Sequence, residues 1–244
     1  MRVIPLIPAA LILSLSQPAL AQDWTRFASP EDGFSANYPG KPKVETTTYT
    51  SEYRQQLPAK VYSAADALGR YSTTVVDYRG IEKMHADRAA KCQAAKGANQ
   101  QDGDTCQNDF RVDVAGATDH AVWNFMKRDD VKITHYMFYF VELVSGRLLQ
   151  MTNADKTRTF AAIHQHAGRL YVHEATVPPG MPEPILFMQS LAWADDKGLA
   201  IRYRTIYTEG YGEWKFPHEP PPFTVRDLNT SIDGTVVRPP REEE

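Results

Sequence analysis

The chain has 244 residues, with 27 Lys and Arg against 30 Asp and Glu and a formal net charge of −3. So mild an acidity argues against nucleic acid or an anionic membrane as the partner. The length suffices for one substantial core or two small ones.

Residues 1–21 read as a signal peptide rather than as fold. Arg2 supplies the charged start, Val3 to Leu15 the apolar core, and Ala19-Leu20-Ala21 the small-residue cleavage site. The apolar run is short for a bilayer and is interrupted by Pro5 and Pro8. Cleavage after Ala21 leaves Gln22 as the mature terminus, with no cysteine there to carry a lipid anchor and no later run long enough to span a membrane. The expected product is exported, to the periplasm of a Gram-negative bacterium. Cys92 and Cys106, an even and closely spaced pair, then read as a disulfide. Closing so short a loop stabilises by about 3 kcal/mol in the chain-entropy account. The C-x-x-C spacing of redox catalysts is absent from the sequence.

Trp24 to Phe27 and Phe34 to Tyr38 are short strands flanking the turn chemistry of Pro30-Glu-Asp-Gly33. Val44 to Thr50, Lys60 to Ala65 and Tyr71 to Tyr78 are β-prone, and their short connections join all five segments as one antiparallel meander. At Ile81 the period becomes helical through Met84, Ala89, Cys92 and Ala95, with Gly97 as the stop. Asn99 to Asn108 is a polar loop. Its Asp102, Asp104, Asn108 and Asp109 hint at calcium, but Gln107 and Asp113 stand where an EF-hand needs Gly and Glu. Asp119 to Lys127 reads as a short helix behind a Thr118 or Asp119 cap, with the opening of a hairpin as the alternative.

Ile133 to Val144 is the most apolar stretch of the mature chain, aromatic or aliphatic at every position from Tyr136 to Val141. Both faces being greasy, it is expected to be the central strand of the sheet, covered on both sides and ended by a Ser145-Gly146 turn. Leu148 to Asn153, Thr157 to His164 and Arg169 to Val177 complete a four-strand meander. Pro182 and Pro184 introduce a helix carrying Ile185, Met188 and Leu191, and Leu199 to Tyr207 alternates as a last strand. The fold class expected is α+β, one domain over 22–216, with a Pro-rich and charged tail over 217–244.

The stretch Asp32-Gly-Phe-Ser-Ala-Asn-Tyr-Pro-Gly-Lys-Pro42 resembles the opening of exported bacterial proteins with a PsbP/Mog1-like fold. Thr152 to Phe160 and Glu174 to Val177 resemble segments of periplasmic proteins of Gram-negative bacteria. The resemblance implies an α/β/α sandwich, an antiparallel sheet with helices on both faces. It brings no catalytic residues, and likeness of fold alone would not carry function.

Three groups could carry chemistry. His164 and His166 lie two apart on a strand and share a face. If Ala167-Gly168 is a two-residue hairpin loop, 164 lies opposite 171 and 162 opposite 173, and His173 joins them; a three-residue loop sends His173 to the other face. Imidazoles grouped in this way suit zinc or copper, against the plainer reading of a polar strand face. Asn153, Lys156 and Arg158 crowd a turn and could hold a small anion or polar ligand, against the plainer reading of turn residues. His135 and Glu142 differ by an odd number, lie on opposite strand faces and are not an obvious acid–base pair; either could be buried and functional, against the plainer reading of positions near the strand ends. The motifs G-x-S-x-G, H-E-x-x-H, G-x-G-x-x-G and the P-loop do not occur.

The function expected is therefore a non-catalytic exported module, with no cofactor, that binds an envelope partner or a small ligand. The alternative is an exported hydrolase or metal-binding protein built on the histidine face.

Overall fold

The computed structural model describes residues 23–96, 106–209 and 223–224. The expected signal peptide, the Gly97 stop and most of the acidic loop and tail lie outside them. In chain order the elements are β1 (Trp24–Ser29), β2 (Phe34–Pro39), β3 (Lys43–Thr50), β4 (Gln56–Ala65), β5 (Arg70–Asp77), α1 (Ile81–Lys96), α2 (Phe110–Met126), β6 (Lys132–Val141), β7 (Val144–Thr152), β8 (Arg158–His166), β9 (Arg169–Val177), α3 (Ile185–Met188), β10 (Ala192–Ala194), β11 (Ala200–Arg202) and β12 (Phe223–Thr224).

They form two antiparallel sheets. The large one runs β3-β4-β5-β9-β8-β7-β6 and the small one β1-β2-β10-β11-β12. The five opening strands are thus not one meander. After the Pro39-Gly40 turn, where Gly40 has φ +80°, the chain leaves the small sheet and enters the large one. Pairing of β5 with β9 closes the two hairpin stacks into a single sheet.

Each face of the large sheet buries its own core. On one face Phe160, Ala162, Tyr171 and Ala175 meet Phe34 and Tyr38 of β2, Phe187 of α3 and Trp193 of β10. On the other Leu149, Ala161, Ile163, Leu170 and Val172 meet Ile81 of α1 and Ala117, Ala121, Val122 and Phe125 of α2. The architecture is α+β, as expected, but the two covers differ. Helices α1 and α2 lie on one face, while the small sheet and the four-residue α3 cover the other.

α2 is a single helix from Phe110, so Thr118 and Asp119 sit inside it and cap nothing. Its buried stripe of Asp113, Ala117, Ala121 and Phe125 repeats every four residues, the helical spacing of one face. The Cys92–Cys106 disulfide joins α1 to the residues just ahead of α2, as the sequence predicted. Among the described residues no helix is long and apolar enough to cross a membrane.

The expectation for Ile133 to Val144 is overturned. Strand β6 stops at Val141, and the turn falls on Glu142 and Leu143, both at positive φ (+47° and +65°). Two consecutive residues of that kind make the tight turn whose twist matches a hairpin. The strand itself is not central but the edge of the large sheet.

Candidate functional site

The Ala167-Gly168 loop has two residues, with φ +49° and +71°. It sets His164 opposite Tyr171 and Ala162 opposite His173, so the three histidines do share a face. That face is the core between the sheets, and each imidazole is built into it separately. His173 stacks on Phe187 at 3.8 Å between ring centres. Its Nε2 donates to the Phe187 carbonyl at 2.9 Å, which leaves Nδ1 to accept from Thr73, itself an acceptor for Tyr38. His166 stacks on Trp193 at 4.6 Å and meets the Tyr203 hydroxyl at 2.7 Å. His164 lies against Tyr139 and Trp193. It has no well-formed hydrogen bond at either ring nitrogen, although the Ser145 and Val144 backbone lies close enough to favour its charged form.

Burial depresses all three, His164 and His173 to about 4 and His166 to about 3. Among the described residues no three His, Cys, Asp or Glu side chains come together to hold a metal ion. His164, His166 and His173 do not form such a group: His164 and His166 pack on Trp193, and His173 on Phe187. Glu174, the carboxylate a hydrolase reading would need beside them, points to the opposite face of β9, toward Arg128 at 3.5 Å. Desolvation raises its pKa, opposed by Arg128.

Asn153, Lys156 and Arg158 do not converge either. Asn153 donates to Thr157 and Thr159, Lys156 takes the positive φ of the turn, and Arg158 reaches away to the Met181 carbonyl. Glu142 leaves the strand for the turn and pairs with Arg202 at 3.6 Å.

One cluster escaped the sequence reading. Ser51 donates to Asp113 Oδ2 at 2.6 Å, and His85 Nε2 meets the same oxygen at 2.9 Å. Arg88 can only donate, so His85 Nδ1 accepts from it and Nε2 carries the hydrogen given to Asp113. These are the residue types of a serine hydrolase in the wrong order, with the carboxylate between serine and histidine instead of behind the histidine. Ser51, His85 and Asp113 are all buried, and they pin α1, α2 and the β3–β4 turn together. The signal was present in the four-residue spacing, His85 between Ile81 and Ala89, and Asp113 ahead of Ala117 and Ala121.

One exposed stretch is apolar. On β6, Tyr136, Met137, Phe138 and Phe140 keep 47, 45, 66 and 46% of their surface in water. Tyr136, Phe138 and Phe140 share one face of the strand and Met137 projects from the other; the three rings leave on the order of 300 Å² exposed, the size of the largest apolar patch of an ordinary monomer, which is often functional. Its aromatic side is braced. The Arg147 guanidinium lies 4.4 Å over the Phe138 ring, donates to the Tyr136 hydroxyl at 3.1 Å and pairs with Asp119 of α2 at 3.1 Å. Aromatic rings held by an arginine are the composition of binding hot spots. Elsewhere an open groove of about 210 Å³ is lined by Trp24, Leu68, Tyr71, Met181, Ile185 and Leu186. An open trough of about 540 Å³ surrounds Lys43, Arg70, Ser72 and Glu174. No protein-family model and no curated protein matches this chain.

Proposed function

We propose that this protein is an exported, non-catalytic binding module whose working surface is the aromatic edge strand β6. The observation that carries the reading is the uncharged run of Tyr136, Met137, Phe138 and Phe140, exposed on a sheet edge that no other strand among the described residues pairs. Soluble proteins blunt such edges with charge or proline or cover them, and this chain does so at its other edge. There β3 presents Lys43, Glu45 and three consecutive threonines. An edge strand recognises its partner by main-chain hydrogen bonds, with alternate side chains supplying selectivity. Export to the periplasm and a PsbP/Mog1-like relationship belong to the same proposal. They are supported by the leader-like residues 1–21, the resemblance of the Asp32 to Pro42 stretch and the disulfide, a bond that persists in oxidising compartments.

The test is site-specific photo-cross-linking in the producing cell. A photoreactive residue replacing Phe138 is expected to trap a discrete adduct, while one replacing Val44, exposed on the opposite edge, is not. Equal labelling at both positions, or none at 138, rejects β6 as the working surface.

A further inference from the structure

The peptide groups of β6 have a fixed parity. The two-residue turn at Glu142-Leu143 makes Val141 and Val144 the closing pair of the hairpin, and such a pair is hydrogen-bonded. Alternation then turns the N–H and C=O groups of Val141, Tyr139 and Met137 toward β7 and those of Phe140, Phe138 and Tyr136 outward. The outward groups therefore belong to the residues whose rings form the exposed aromatic side.

Resting on the reading of β6 as the binding strand, we propose that its occupant is a second copy of this chain. The two β6 strands pair antiparallel about a two-fold axis at Met137 and join two seven-stranded sheets into one. This register matches outward groups with outward groups: Tyr136 of each copy faces Phe138 of the other, and each such pair exchanges both of its hydrogen bonds. The rings fall on one face as cross-strand aromatic pairs. On the other face Met137 meets its own counterpart, and His135 meets Tyr139. The same surface patch serves both copies, as a two-fold interface requires.

The ends of the strand select this arrangement. Asp130 and Lys132 stand at its beginning, and Glu142, with Arg202 paired to it, stands just past its end. Antiparallel pairing carries the Asp130 and Lys132 end of one copy toward the Glu142 and Arg202 end of the other, so that beyond the paired segment each charge has an opposite one within its partner's end. Parallel pairing would set like beside like. The register shift between Ile133 and His135 is a bulge that bends the strand away, so the regular match runs from His135 to Tyr139. A patch of this size lies at the small end of protein interfaces, and the dimer is expected to dissociate on the order of micromolar.

Sedimentation equilibrium of the whole purified chain from about 1 to about 100 µM, together with a Met137→Cys variant under oxidising conditions, tests the proposal. The expected results are a reversible monomer–dimer equilibrium, a disulfide-linked dimer through position 137, and none from Val44→Cys on the opposite edge. Phe138→Lys is expected to abolish the dimer while the variant keeps the far-ultraviolet circular dichroism of the parent. A chain that stays monomeric, with position 137 uncross-linked, overturns self-pairing and leaves β6 to a different partner, which the photo-cross-link at 138 detects. A dimer indifferent to Phe138→Lys and not cross-linked through 137 places the interface elsewhere and likewise overturns self-pairing, while absence of any photo-cross-link at 138 overturns the reading of β6 as the binding strand.

Discussion

The three histidines buried between the sheets make stability fall steeply with acid. Their ordinary pKa is 6.5, and burial holds His164 and His173 at about 4 and His166 at about 3. Between these values the unfolded chain binds protons that the folded chain refuses. Stability is therefore complete above pH 6.5 and is lost as pH falls toward the folded values. At about pH 5 each unfolded histidine is protonated at a gain of about 2 kcal/mol, so the three together remove about 6 kcal/mol. That is of the order of the whole stability of a domain. Glu174 acts in the opposite sense, because its raised pKa contributes stability that is lost as pH rises, and it offsets part of the loss. The assay is urea denaturation at about pH 7.5 and about pH 5, with the midpoint and slope read separately. The midpoint is expected to drop sharply while the slope holds, and His173→Gln should shrink the drop by about a third. A midpoint that does not move between the two pH values would refute the burial of neutral imidazoles in this core.

Two further perturbations follow from close packing and from the buried polar pin. A side chain at Gly146 would overlap the His164 ring and the Ile163 carbonyl, so Gly146→Ala is expected to cost about 2 kcal/mol by overpacking; a melting temperature equal to that of the parent would contradict this. Asp113→Ala leaves the Ser51 hydroxyl and His85 Nε2–H buried without their acceptor and is expected to cost roughly 3 kcal/mol. Restored stability in a Ser51→Ala, His85→Phe, Asp113→Leu triple variant would show that the penalty lies in orphaned donors, and a harmless single Asp113→Ala would show that the pin is dispensable.

Much of the large sheet was legible because its signals are local. The hairpin at Ala167-Gly168 set the pairing of His164 with Tyr171, and the alternation of β8 and β9 followed from it. Asp66 caps the Leu68-Gly69 turn through its own side chain, the kind of chemistry a sequence displays. Three things were not legible. The division of the opening strands between two sheets depends on which distant strands pair, β2 with β10 and β5 with β9, and no local pattern encodes that. The shared face of the histidines was foreseen as conditional on the loop, but its burial beneath Trp193 and Phe187 depends on a short strand and a single helical turn contributed late in the chain. β6 was misplaced for an instructive reason. An apolar run on both faces reads as a strand covered on both faces, and nothing local in it distinguishes a central strand from an edge strand whose rings stay exposed.

The most direct measurement is amide hydrogen exchange along the two edges of the large sheet, in the protein at its native concentration and after dilution. Protection is expected at the amides of Tyr136 and Phe138 in the concentrated state, falling on dilution, with the outward amides of β3 exchanging freely in both. If those two amides exchange as fast as the β3 edge in every state, β6 is a bare edge in the isolated protein and its self-pairing is wrong.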